Sequence, residues 1–115
     1  MATTHDLPTL AGMTTGSDAP PGMRSHLERL VGSLEARLAE EVAEAVHRHL
    51  GQSPSVLAFA TMEDLLGVPE RPNVPGTTDE DRPNWSQALP VPLEDLPAHA
   101  GAARLLAALS EGRQA

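Results

Sequence analysis

From Leu27 to His49 the apolar residues Leu27, Leu30, Val31, Leu34, Leu38, Val42, Ala45, Val46 and His49 recur at three- and four-residue steps. That period puts them on one side of a helix. Glu28, Arg29, Glu35, Arg37, Glu40, Glu41, Glu44 and Arg48 fall mainly off the stripe. Ser25-x-x-Glu28 has the form of a capping box, and Gly51 stands where a helix-closing glycine would. The pattern predicts one long amphipathic helix over 25–50. Such a helix is stable only when its apolar face packs on something, so the rest of the chain must supply a cover.

That cover has few regular pieces. Residues 1–23 show no helical period and read as a strand tail running into a loop, with Pro20-Pro21-Gly22 as a breaker. Val56-Leu57-Ala58-Phe59-Ala60-Thr61 is a short apolar run that suits a strand over 55–61, buried on both faces. Glu63 to Leu66 reads as a short helix stopped by Gly67. Six prolines between 68 and 92 make that stretch a long loop. Leu93–Leu96 suits a turn of helix. A second helix is expected from residue 97 or 98 to Ser110, with Leu105, Leu106 and Leu109 as its apolar face. Residues 111–115 are expected to fray. One buried strand without partner strands does not make a sheet. The arrangement therefore reads as an α/β fragment, a single partial domain over 1–110, mostly helical when isolated and cut from a larger sheet or barrel.

The chain carries a net charge of −8, and all its basic residues are Arg. Without a basic cluster, neither nucleic acid nor an anionic membrane surface is an expected partner. There is no Cys, which excludes disulfides and thiolate metal sites. His47 and His49 are two residues apart and point to different sides of a helix, so no metal site is expected. The acidic run Asp79-Glu80-Asp81 reads as a solvated loop. No phosphate-binding glycine loop or nucleophile elbow is present, and no cofactor is expected. No apolar run approaches the ~20 residues of a membrane span, and the first residues lack the order of a signal peptide. The expected location is the cytoplasm.

Three short motifs point to chemistry: Thr4-His5-Asp6-Leu7-Pro8-Thr9-Leu10-Ala11-Gly12, Met62-Glu63-Asp64-Leu65-Leu66-Gly67, and Asn73-Val74-Pro75-Gly76-Thr77 followed by Pro83-Asn84-Trp85. Read as bare residues, Asp6 suits an Asx-turn as well as a catalytic carboxylate. Asn73 suits a turn before the type II pair Pro75-Gly76, or an amide gripping a sugar hydroxyl. Trp85 suits a loop anchor better than a sugar platform.

Taken in order, these motifs resemble the amylomaltases, or 4-alpha-glucanotransferases, of glycoside hydrolase family 77. The resemblance covers about residues 3–97 and corresponds to the family's C-terminal portion. It implies a slice of a (β/α)8 barrel, whose full form needs roughly 200 residues or more. It implies transfer of α-1,4-glucan segments between maltodextrins with retention. By motif position Asp6 resembles the acid that stabilises the transition state. His5 and Asn73 resemble residues that hold the sugar. The family's nucleophile and acid/base lie on earlier strands. Neither motif is found here, so the chain is expected to be inactive alone. A complementing N-terminal barrel fragment is an expected partner besides the glucan. Residues 13–22 depart from the family pattern, which places bulky aromatics there. The alternative reading is a small non-catalytic helical module that binds a protein partner or glucan.

Overall fold

The computed structural model describes residues 1–114. It is mostly helical: α1 Leu10–Thr15, α2 Pro21–Val31, α3 Ala39–Gly51, α4 Met62–Leu65, a 3-10 segment Leu93–Ala98, and α5 Ala100–Gln114. There is no strand among the described residues.

The single helix expected over 25–50 is two helices. α2 stops at Gly32, whose φ of 87° lies in the left-handed region, and the Gly32 N–H closes on the Glu28 carbonyl at 2.8 Å. A glycine inside a helix costs about 1 kcal/mol relative to alanine, whereas at a helix end it is the favoured stop. Arg37 then reaches back and donates to the Val31 carbonyl at 2.7 Å. Leu34 folds into the core from the connecting segment. Pro21 is the first residue of α2, so the expected breaker is a helix start. Ser25 lies inside α2 and donates to the Pro21 carbonyl instead of capping.

The buried strand expected over 55–61 is absent. The segment is irregular, and Val56, Leu57 and Phe59 are exposed, Val56 at 87%. A strand needs partners for its backbone groups, and none is present among the described residues. Arg113 takes the Ser55 and Val56 carbonyls at 3.2 and 2.9 Å.

The main packing is between α3 and α5. Arg104 pairs with Glu40 and Glu44 at 3.2 and 3.1 Å, and Arg48 pairs with Glu111 at 3.1 Å. Residue numbers rise together along this seam, so the two helices run parallel. Gly51 and Gly112 face each other at its end. A Cβ on either would press on the other helix's backbone: on Leu109 O from Gly51, and on Arg48 O from Gly112. Gly51 therefore serves close approach rather than a left-handed stop. Along α5 the buried positions are Ala102, Leu105, Ala108, Leu109 and Gly112, while Leu106 is exposed against expectation. α5 runs on through Gln114, so residues 111–114 are helical rather than frayed. Residue 115 lies outside the described residues.

α1 and α4 complete the core. Leu10, Met13, Leu27, Leu34, Val42, Val46, Leu65 and Leu105 form one cluster. His47 is buried with it, and its Nδ1 donates to the Ala43 carbonyl at 2.8 Å. An open apolar groove of about 400 Å³ remains beside the cluster, with Leu7, Met23, Leu30 and Leu50 among its lining residues. No helix is long and apolar enough to cross a membrane.

Candidate functional site

The His5-Asp6 loop is clamped on both sides. Before it, the Thr3 hydroxyl donates to Asp64 Oδ2 at 2.6 Å. After it, Leu10 N–H donates to Asp64 Oδ1 at 3.0 Å. Asp64 is only 4% exposed, and its backbone is fixed in α4 by the N-cap Thr61, whose hydroxyl accepts from the Asp64 N–H. Thr9 has two roles. Its hydroxyl caps α1 by accepting from Gly12 N–H at 3.0 Å, and it donates to the Val68 carbonyl at 2.6 Å. Gly12 is required here, since a Cβ would meet the Pro69 carbonyl oxygen. The residues around the first motif are therefore tied to those of the second.

The third motif closes over the same loop. Val74-Pro75-Gly76-Thr77 is a turn, with Thr77 N–H bonded to Val74 O at 3.2 Å and Gly76 at φ 83°. Asn84 is its clasp. Asn84 Oδ1 accepts from Val74 N–H at 3.1 Å and from Arg82 at 2.7 Å, and Asn84 Nδ2 donates to Thr77 Oγ1 at 3.0 Å. Asn73 N–H donates to the His5 carbonyl at 3.1 Å. Arg71 donates to the Asp6 carbonyl at 2.8 Å and is itself held by Asp18. Asp18 lies in the stretch that departs from the family pattern. Of that stretch only Met13 and Thr14 are buried, their carbonyls accepting from Arg24, while residues 15–17 are exposed.

His5, Asp6 and Asn73 come together. Asn73 Nδ2 donates to Asp6 Oδ1 at 2.8 Å. His5 Nε2 lies 3.3 Å from Asp6 Oδ2, and both side chains remain about half exposed, at 55% and 44%. Beside them Trp85 packs on the His5 ring, with centroids 4.8 Å apart and planes at 47°. Chemically, this is a fixed carboxylate with an imidazole and an amide at its sides and an indole next to it. The carboxylate can accept from sugar hydroxyls, and its charge can stabilise positive charge developing on a flattening ring. Asp18 and Asp64 are already engaged by Arg71 and by Thr3 and Leu10. Among the described residues no group of three or more His, Asp or Glu side chains is placed to hold a metal.

The family model of 4-alpha-glucanotransferase, glycoside hydrolase family 77, matches residues 1–93. The chain belongs to the 4-alpha-glucanotransferase family. Comparison with curated proteins and with solved structures finds no match. Two features of this glucanotransferase-family chain escape a reading of residues alone. Trp85, expected to be a packed anchor, is 64% exposed and stands in the site. Asp64, read in the sequence only as part of a motif on a short helix, is the buried support of the His5-Asp6 loop. No signal in the residues alone pairs Asp64 with Thr3 and Leu10, which lie 61 and 54 residues away. Nothing in the residues alone marked Trp85 as exposed.

Proposed function

We propose that this chain carries the sugar-gripping part of a 4-alpha-glucanotransferase acting on α-1,4-glucans in maltodextrin metabolism, in the cytoplasm. Asp6 is the transition-state-stabilising acid, and His5 and Asn73 hold hydroxyls of the same glucosyl unit. The observation that carries this reading is the 2.8 Å bond from Asn73 to Asp6, which joins two family motifs 67 residues apart at one half-exposed carboxylate. Double displacement needs a nucleophile and an acid/base roughly 5–5.5 Å apart across the bond. None of this chain's remaining acids stands in those family motifs, so the chain alone binds sugar without transferring it. The chain is a C-terminal slice of a (β/α)8 barrel, and an N-terminal barrel fragment is its complementing partner. Residues 55–61 become a strand when neighbouring strands are supplied. The parallel α3 and α5 support this, since successive helices of such a barrel run the same way.

Titration with maltotriose, followed by backbone NMR, tests the reading. The amide signals of His5, Asp6 and Asn73 should shift saturably, with a dissociation constant on the order of 1 mM, a binding free energy near −4 kcal/mol. Asp6→Ala should weaken binding by about tenfold, equivalent to ~1.4 kcal/mol and close to the lower end for one charged hydrogen bond. Silent amides at these three residues in saturating maltotriose would sink it. The groove between α2, α3 and the first residues favours a second reading, a helical module that binds a protein. Under that reading the same three amides stay silent.

A further inference from the structure

The guanidinium that holds the Asp6 main chain is also a natural partner for the Asp6 side chain. Arg71 Nη1 donates to the Asp6 carbonyl at 2.8 Å, so the carboxylate of the same residue is a short side-chain rotation away. A guanidinium binds a carboxylate more strongly than a neutral carbonyl, because both ends of the bond are charged and the fork matches two oxygens. The Asp6 carboxylate is open to such capture. It is 44% exposed, and its Oδ1 takes only the neutral amide of Asn73. Left to itself, Arg71 would close on Asp6 and cover the oxygens that a sugar needs.

Asp18 stands in the way of that capture. Arg71 Nη2 donates to Asp18 Oδ1 at 3.1 Å, and Arg71 Nε lies 2.9 Å from Asp18 Oδ2, although its N–H is not aligned on that oxygen. Both side chains are mostly covered, at 16% and 25% exposure, so the pair is shielded from water. Removing one partner of such a pair leaves a charge that needs another. Arg82 adds to the positive charge. It donates to the Arg71 carbonyl at 3.0 Å and to Asn84 Oδ1 at 2.7 Å, and it makes no ion pair among the described residues. Glu70 borders the same recess, but it is exposed and bonds to neither guanidinium among the described residues. Asp18 is therefore the acid that answers Arg71, and it stands in the stretch where the chain departs from the family pattern.

We infer that Asp18 is a positioning residue for the glucan site. It keeps the Arg71 fork on itself, so that Arg71 fixes the Asp6 main chain while the Asp6 carboxylate stays open to sugar hydroxyls. The inference rests on the glucan-binding reading of Asp6 and adds what keeps that carboxylate available. Without Asp18, Arg71 turns to the Asp6 carboxylate, and a sugar must displace a charge-assisted pair before it binds. Asp18 thus matters to binding only while residue 71 carries a charge.

That dependence is tested by a double-variant cycle on the 115-residue chain, with maltotriose titrations followed at the His5, Asp6 and Asn73 amides. Asp18→Ala should raise the dissociation constant about tenfold, the cost of displacing one charge-assisted contact. Asp18→Asn keeps an acceptor for Arg71 but not the charge, and should fall between. Arg71→Gln keeps an N–H for the Asp6 carbonyl but holds it less firmly, and should weaken binding by about two- to threefold. The double variant Asp18→Ala/Arg71→Gln should bind as Arg71→Gln does, and so more tightly than Asp18→Ala alone. If Asp18 served only the fold, the two losses would accumulate and the double variant would be the weakest of all. Without ligand, Asp18→Ala should also show new NOE contacts between the Arg71 side chain and the Asp6 β-protons. Should Asp18→Ala lose its helical circular dichroism, Asp18→Asn with and without Arg71→Gln makes the same comparison. Unchanged binding by the Asp18 variants, or no recovery in the double variant, would overturn the role of Asp18 and leave the glucan reading standing. Silent amides in the unaltered chain would overturn both.

Discussion

Asp64→Ala should lower the stability of the chain by about 3 kcal/mol, read as a fall in the urea midpoint. The carboxylate is buried and accepts from the Thr3 hydroxyl at 2.6 Å and the Leu10 N–H at 3.0 Å. Hydrogen bonds to a charged group contribute about 1.5–3 kcal/mol each, and a buried donor left without a partner costs about 1–3 kcal/mol. Thr3 retains a contact with the Thr61 hydroxyl at 3.3 Å, but Leu10 N–H, at the start of α1, has no substitute. The loss is local in a second sense. The loop between Thr3 and Leu10 carries His5 and Asp6, so releasing its ends should also broaden the NMR signals of that loop. Glu63→Ala is the control. Glu63 precedes Asp64 on the same short helix but makes no side-chain hydrogen bond among the described residues, so its effect should stay within about 0.5 kcal/mol.

Gly112→Ala should destabilise the chain by about 2 kcal/mol, in the range expected for overpacking. The sign makes this test informative. Helix propensity alone predicts the opposite, because alanine is better than glycine inside a helix by up to about 1 kcal/mol. Packing decides otherwise: the new Cβ would press on the Arg48 carbonyl oxygen and stand 2.9 Å from the Gly51 Cα. Both contacts are with backbone, which cannot rotate away, so α3 and α5 would have to part along their main seam. Gly22→Ala in α2 meets nothing within 4 Å and should be neutral or stabilising. If thermal melts show Gly112→Ala to be stabilising as well, the close approach of α3 and α5 is not real.

What could be read in the sequence depended on whether a feature was local. α4 was legible because Glu63 to Leu66 ends at its own stop, Gly67, although its cap, Thr61, had been placed at the end of the expected strand. The Pro75-Gly76 turn was legible for the same reason, since a proline followed by a glycine specifies the backbone there. Gly32 was misread because an unbroken apolar period hides a single residue whose backbone preference outweighs it. α1 was missed because six residues are too few for a period, although Thr9 and Gly16 cap it at both ends. The run 55–61 has the composition of a strand, but a strand exists only with neighbours, and its own residues cannot supply them. Leu106 failed differently. α3 lies against Ala102, Leu105, Leu109 and Gly112, and only the position of the partner helix says which face of α5 is inside.

The site divides along the same line. His5, Asp6 and Asn73 could be singled out because each stands in a family motif, and the structure brings all three together. The residues that hold them were not legible. Asp64, Arg71 and Asn84 act through bonds that span 54, 65 and 10 residues, and composition carries no trace of those pairings. Trp85 stands exposed directly after the buried Asn84, a contrast that no count of aromatics foretells.

The central claim is that this chain holds the stabilising acid of a glucanotransferase without the means to break a glycosidic bond. Incubation of the purified chain with maltotriose, followed by measurement of released glucose, tests it most directly. The account predicts no glucose above the level of a no-protein blank, and the same result for Asp6→Ala. Glucose and longer maltodextrins formed by the unaltered chain, and absent with Asp6→Ala, would contradict it.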